Sequence, residues 1–208
     1  MIRINGVDKE STLRETSAEA HGAYYLADNP NLYEPQRTNH FELVVPGLDN
    51  IIKMGMTGTE ANSKIANGSE VLRLSVESAT IPSFSLGEIA IRMGNSVMYA
   101  AGSPEFSAGT IVCKDYIGAE SKEVLYAWLG CAYDPETDKI GTLSDYKKDA
   151  YLIEYTPDYQ KVRQYVLKGC WVTSVTESDR NKEDTAEASK VTASIRYDKG
   201  YIDRSSQN

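Results

Sequence analysis

The chain has 208 residues, 41% of them hydrophobic and 25% charged, which is ordinary for a soluble globular protein and enough for a sizeable core in one large domain or two small ones. Lys and Arg total 22 against 30 Asp and Glu, and the net charge of −8 repels phosphate backbones, which argues against tight nucleic-acid binding through a basic patch. No stretch is apolar and long enough to cross a bilayer as a helix. The three cysteines, Cys113, Cys131 and Cys170, are too widely spaced for a disulfide framework or a zinc site and read as small buried hydrophobes.

Met1 leads into Ile-Arg-Ile-Asn-Gly-Val, which lacks the apolar run and cleavage site of a secretory signal, so synthesis in a cytoplasm is expected. Residues 1–39 hold no persistent period and read as an N-terminal arm. Tyr24, Tyr25, Leu26, Leu32 and Tyr33 would be wasted in a free arm, so it is expected to dock. A single domain is expected over 40–200. It opens with a strand at His40 to Val45, closed by Pro46-Gly47, and a glycine-punctuated segment follows over 48–69. That length, with Ile51, Ile52, Met54 and Met56, predicts a protruding contact loop.

Val71 to Glu77 alternates as a second strand, with Leu72, Leu74 and Val76 inward, until Pro82 ends it. Short strands are predicted at Leu86 to Met93, Val97 to Ala100 and Glu105 to Lys114, separated by turns at Gly94-Asn95 and Gly102-Ser103-Pro104. A single good helix is predicted over 119–131, with acidic residues in its first turn and Trp128 as its anchor into the core. Asp134 to Asp138 reads as a turn, the segment through Lys148 as polar loop, and Ala150 to Thr156 as a strand.

The most informative stretch is Gln160 to Tyr197. Val191, Ala193, Ile195 and Tyr197 alternate strictly with Lys190, Thr192, Ser194 and Arg196, the signature of a half-buried strand. Its partner, Gln160 to Thr176, is unusually long, and Gly169 at its middle predicts a bulge that bends it, leaving either parity open to face inward beyond it. The charged loop between them, 177–188, contains no apolar residue larger than alanine, and 201–208 reads as a polar C-terminal tail. Many short strands with one flanking helix predict a mainly β, two-sheet sandwich or barrel.

No catalytic, cofactor-binding or metal-binding residues stand out, and no enzyme is predicted. Phosphate-binding glycine loops are absent, and His21 and His40 lack neighbours at ligand spacing. A Cys113–His40 nucleophile competes poorly with Cys113 as an ordinary strand residue. Glu183-Asp184 lies in the charged loop, where catalytic geometry is not held. The 14 tyrosines, with Trp171, leave a carbohydrate-binding sandwich open as an alternative. These residues describe a non-enzymatic subunit of an assembly.

Ala79-Thr80-Ile81-Pro82-Ser83-Phe84 and Ile89-Ala90-Ile91-Arg92-Met93-Gly94 resemble the proline-centred motif and hairpin of tail tube proteins from contractile-tailed bacteriophages. In the same order follow Phe106 to Tyr116, the helix Ala119 to Leu129, Tyr165 to Val172 and Val191 to Tyr197, so the resemblance spans Phe41 to Tyr197. It implies a structural virion protein whose homohexameric rings stack into the inner tube of a contractile tail, with inner strands closing into one continuous barrel. It further implies a tail sheath protein outside, baseplate and tail terminator proteins at the ends, and assembly in the host cytoplasm. DNA would pass the lumen unbound during genome ejection, and no membrane is involved. A baseplate tube initiator or a secretion-system tube protein is the nearest alternative. The long N-terminal arm and the insert at Tyr133 to Lys148 depart from smaller members.

Overall fold

A computed structural model of the chain describes residues 3–4, 7–8, 35–50, 67–118, 121–179 and 188–204. The chain divides into two compact units, Met1–Thr38 and Asn39–Asn208. In the first, β1 (Arg3–Ile4) pairs antiparallel with β2 (Val7–Asp8). The rest of the predicted arm, and residues 51–66 of the predicted contact loop, lie outside the described residues.

The second unit runs β3 (Phe41–Val44), α1 (Gly68–Ser75), β4 (Val76–Ala79), β5 (Phe84–Met93), β6 (Ser96–Phe106), β7 (Gly109–Lys114), α2 (Ser121–Ala132), β8 (Tyr133–Asp134), β9 (Lys139–Ile140), α3 (Leu143–Tyr146), β10 (Lys148–Tyr155), β11 (Lys161–Glu177), β12 (Lys190–Arg196) and β13 (Lys199–Ile202). The main strand order is β3-β10-β11-β12-β7-β4, with β13 also on β11. All of these pairings are antiparallel.

The 17-residue β11 belongs to two sheets, because its first half pairs β10 and β13 while its second half pairs β12. Gly169 makes this possible. Its φ of +64° belongs to the left-handed region, and a Cβ there would collide with the Asp198 carboxylate. The register with β10 shifts at that point, as the predicted bulge requires; Tyr165, Val166 and Leu167 are all buried before it, and Cys170 and Val172 after it. Val191, Ala193, Ile195 and Tyr197 of the following strand are buried, again as predicted.

Both sheets close on α2, whose Val124, Leu125 and Trp128 are fully buried in a single core cluster with Leu43, Leu72, Leu152 and Val172. The Trp128 indole Nε1 donates to the Tyr146 carbonyl at 2.8 Å, so the anchor residue also ties α2 to α3. The mainly β fold with a flanking helix is therefore present.

Several elements differ from expectation. Val71 to Glu77 is not a strand: α1 covers it as far as Ser75, with Gly68, Leu72 and Ser75 buried at spacings of four and three and Leu74 67% exposed. A short apolar run satisfies periods of 2 and 3.6 alike, and here Arg73 reaching Glu42 on β3 at 2.6 Å, with the Ser75 hydroxyl back-bonding to the Val71 carbonyl at 2.6 Å, fits the helix. Among the described residues, α1 and α3 join the one helix expected, and residues 48–50 are helical as well. Leu48, read as part of a protruding loop, is fully buried, and Ser69 is fixed by its amide to Asp49 at 2.9 Å and its hydroxyl to the Val45 carbonyl at 3.1 Å.

Gly102-Ser103-Pro104 is no turn. β6 runs straight through it, carrying one extra residue between the pairs Leu86↔Pro104 and Glu88↔Ala101. There Gly102 lies so close to Gly87 that a Cβ would come within 3.0 Å of its backbone, which explains the glycine pair. The polar loop expected up to Lys148 contains the β8–β9 hairpin and α3, the latter closed by a capping box between Thr142 and Asp145. Tyr201 and Ile202 of the expected tail belong to β13 and pair Val166 and Tyr165.

Candidate assembly surface

The β5–β6 hairpin continues the β4–β7 ladder beyond Pro82. Thr80 N–H donates to the Thr110 carbonyl at 2.9 Å below the proline, and Ser107 N–H donates to the Ser83 carbonyl at 3.0 Å above it. Phe84 packs against Phe106 with the rings tilted, centroids 5.6 Å apart, and Phe106 meets Tyr197 edge-on at 6.2 Å, which roots the hairpin on the core. Beyond that root every residue of β5 is exposed.

Cross-strand pairing sorts the side chains. Ile89↔Ala100, Ile91↔Met98 and Met93↔Ser96 share one face, while Glu88↔Ala101, Ala90↔Tyr99 and Arg92↔Val97 share the other. Neither face is polar enough for water alone. Ile89, Ile91, Met93 and Met98 make an exposed apolar stripe, and Val97 and Tyr99 are exposed on its back. The pattern was visible in the sequence, since both parities of Ile89 to Tyr99 carry large apolar residues; reading it as strands of a packed sandwich hid that no layer among the described residues covers them.

Backbone edges are open as well. β4 ends the strand order on one side. On β11, pairing with β10 stops at Cys170↔Lys148, so among the described residues Val172–Thr176 has a strand neighbour only in β12. Among the described residues the run β11-β12-β7-β4 is thus a four-stranded ribbon with an open edge at each end.

Beside the β11 edge lies a cleft of about 710 Å3, walled by Tyr126 and Leu129 of α2, Tyr133 and Ile140 of the insert, Tyr146 of α3 and Trp171. Tyr146 and Trp171 meet edge-on at 5.3 Å. The flanking tyrosines have their hydroxyls held on carboxylates: Tyr126 donates to Glu177 at 3.2 Å and Tyr133 to Asp138 at 2.9 Å. Glu177 also pairs with Lys122 at 2.8 Å. The Thr137 hydroxyl at 2.7 Å and the Glu136 amide hold the Asp134 carboxyl below the usual range, and Thr142 does the same for Asp145. Asp134 and Asp145 line a second hollow together with Lys139, and the two hollows share Gly130, Pro135 and Ile140.

The residues weighed for chemistry do not converge. Cys113 is buried, bonds Ser75, and burial pushes its thiol up to about 12; Cys170 is pushed to about 12 by burial alone. His40 instead stacks on Tyr159 at 5.8 Å. Glu183-Asp184 lies outside the described residues. Among the described residues no group of three or more His, Cys, Asp or Glu could hold a metal ion, and no helix is long and apolar enough to cross a membrane.

No family model and no curated protein matches the chain. Solved structures do. A chain of the extracellular contractile injection system PVC sheath–tube complex in its extended state superposes with a TM-score of 0.58 at 13% identity, covering 91% of this chain and 99% of that one. A chain of the PVC sheath/tube terminator gives 0.57 at 14%, covering 83% and 99%, and a chain of the anti-feeding prophage tube-terminating cap gives 0.56 at 14%, covering 82% and 91%. The chain has the fold of the tube and cap components of contractile injection systems, in line with the tail-tube fold that the sequence resemblance implied.

Proposed function

We propose that this chain is a structural, ring-forming subunit of the inner tube of a contractile phage tail or related injection particle. The observation that carries this reading is the four-stranded ribbon with an open edge at each end, extended by a hairpin that is apolar on both faces. Two different open edges on one chain make a heterologous contact, and such contacts generate closed rings or helical stacks. Hexameric rings, closed by β4 and β5 of one copy along β11 of the next, would bury the hairpin and leave no edge free. The segments 1–39 and 48–69 would supply ring-to-ring contacts, with sheath outside and baseplate and terminator at the ends. A net charge of −8 suits a conduit through which DNA slides during genome ejection without adhering.

A second reading, a cap or initiator that forms one ring only, is favoured by the nearly equal likeness to the tube-terminating cap. Electron microscopy and sedimentation of the purified full chain test both. Stacked rings of unlimited length support the tube, single rings support the cap, and a monomer at high concentration sinks the proposal. Ile91→Asp combined with Met98→Asp should leave a folded chain that no longer forms rings.

A further inference from the structure

We propose that the cleft beside β11 receives the β5–β6 hairpin of a second copy of this chain. The inference rests on the ring-forming reading and adds to its β11 contact the side-chain pocket that the hairpin would fill. Position supplies the first argument. The cleft begins where β11 loses its second strand neighbour: Trp171 lines it and Thr173, in the singly paired stretch, borders it too. A strand added along Val172–Thr176 carries every second side chain to one side, and therefore past the cleft mouth.

Charge supplies the second argument. Arg92 is the one charged residue between Ile89 and Tyr99, so the hairpin end is apolar and cationic. The insert beside the cleft carries Asp134, Glu136, Asp138 and Asp145 against Lys139, which faces Asp134, and Lys148, which acts on Asp145; Lys147 is already taken by Asp198 at 2.8 Å, so the insert keeps an acidic excess. An apolar plug with one cation meets an apolar socket walled on one side by an insert with an acidic excess. The cleft's 710 Å3 also falls within the range of about 300–1,000 Å3 usual for sites that enclose a guest. On this account the insert at Tyr133 to Lys148 is one wall of the subunit–subunit contact.

The test mixes two full-length variants, Met93→Cys and Ile140→Cys, each carrying Cys131→Ser to remove the half-buried native thiol near the cleft. A short bis-maleimide should give a dimer only when both variants are present. Cross-links between two hairpin thiols alone, or assembled protein with no cross-link, overturn the cleft assignment and leave ring formation standing. A monomer that never cross-links overturns both. Independently, Ile140→Asp should weaken self-association at least about tenfold, since it places a charge in a desolvated contact. Its Tm should not move, because Ile140 is 80% exposed in the single subunit. An unchanged association constant would count against the socket.

Discussion

Tyr197 holds Ser83 by both backbone groups: its hydroxyl accepts from the Ser83 amide at 3.1 Å and donates to the Ser83 carbonyl at 3.3 Å. A residue at the end of β12 thereby fixes the chain just past Pro82, where the hairpin leaves the body. Tyr197→Phe keeps the ring and its contact with Phe106 but leaves those backbone groups to other partners. The expected loss is about 1 kcal/mol in denaturant unfolding. Amide exchange should rise selectively over 84–106, and equal protection in both proteins would show that the root is held by Phe84 and Phe106 alone.

Trp128→Ala removes the largest fully buried side chain and strips the Tyr146 carbonyl of its donor. A loss of about 3–5 kcal/mol is expected from the cavity. Trp128→Phe refills much of the space without the N–H and should cost less; equal losses would mean that the hydrogen bond to α3 dominates.

Gly169→Ala forces a Cβ into the left-handed region and against Asp198. Thermal unfolding should register a loss of about 1–3 kcal/mol. Adding Asp198→Ala should recover the steric share and leave the backbone share, so the two changes should not be additive. Strict additivity would show that the collision is relieved elsewhere.

Burial lifts the Cys113 and Cys170 thiols from 9.0 to about 12. The folded state holds these protons more tightly than the unfolded one, so their contribution is complete below pH 9 and is lost as pH rises from 9 toward 12. Tm should fall across that window, and Cys170→Ala should shallow the decline while lowering the neutral-pH Tm. Parallel Tm curves for both proteins would assign the alkaline loss to tyrosines such as Tyr155, which burial and Glu42 also raise to about 12.

Legibility in the sequence followed burial. Val191 to Tyr197 could be read because one face is buried and the other is not, so the alternation carries the signal directly. The Gly169 bulge was readable because a glycine inside a long strand has few other uses. The helix at Gly68–Ser75 was not, since Leu72, Leu74 and Val76 also fit alternation and its start is fixed by Asp49 and Val45, distant in sequence. The cleft was hidden for a related reason: Tyr126, Ile140 and Trp171 come from three elements, and no local pattern brings them together. The hairpin strands were legible, yet their lack of cover shows only once every other layer has been placed.

One further property follows from β11 running through both sheets. To slide one layer of the sandwich over the other, a force must stretch covalent main chain through Gly169 and not merely shear side chains past each other. A load applied at the rim of such a subunit therefore reaches the helix-backed layer undiminished, and the brick tilts or breaks as a whole before it creeps.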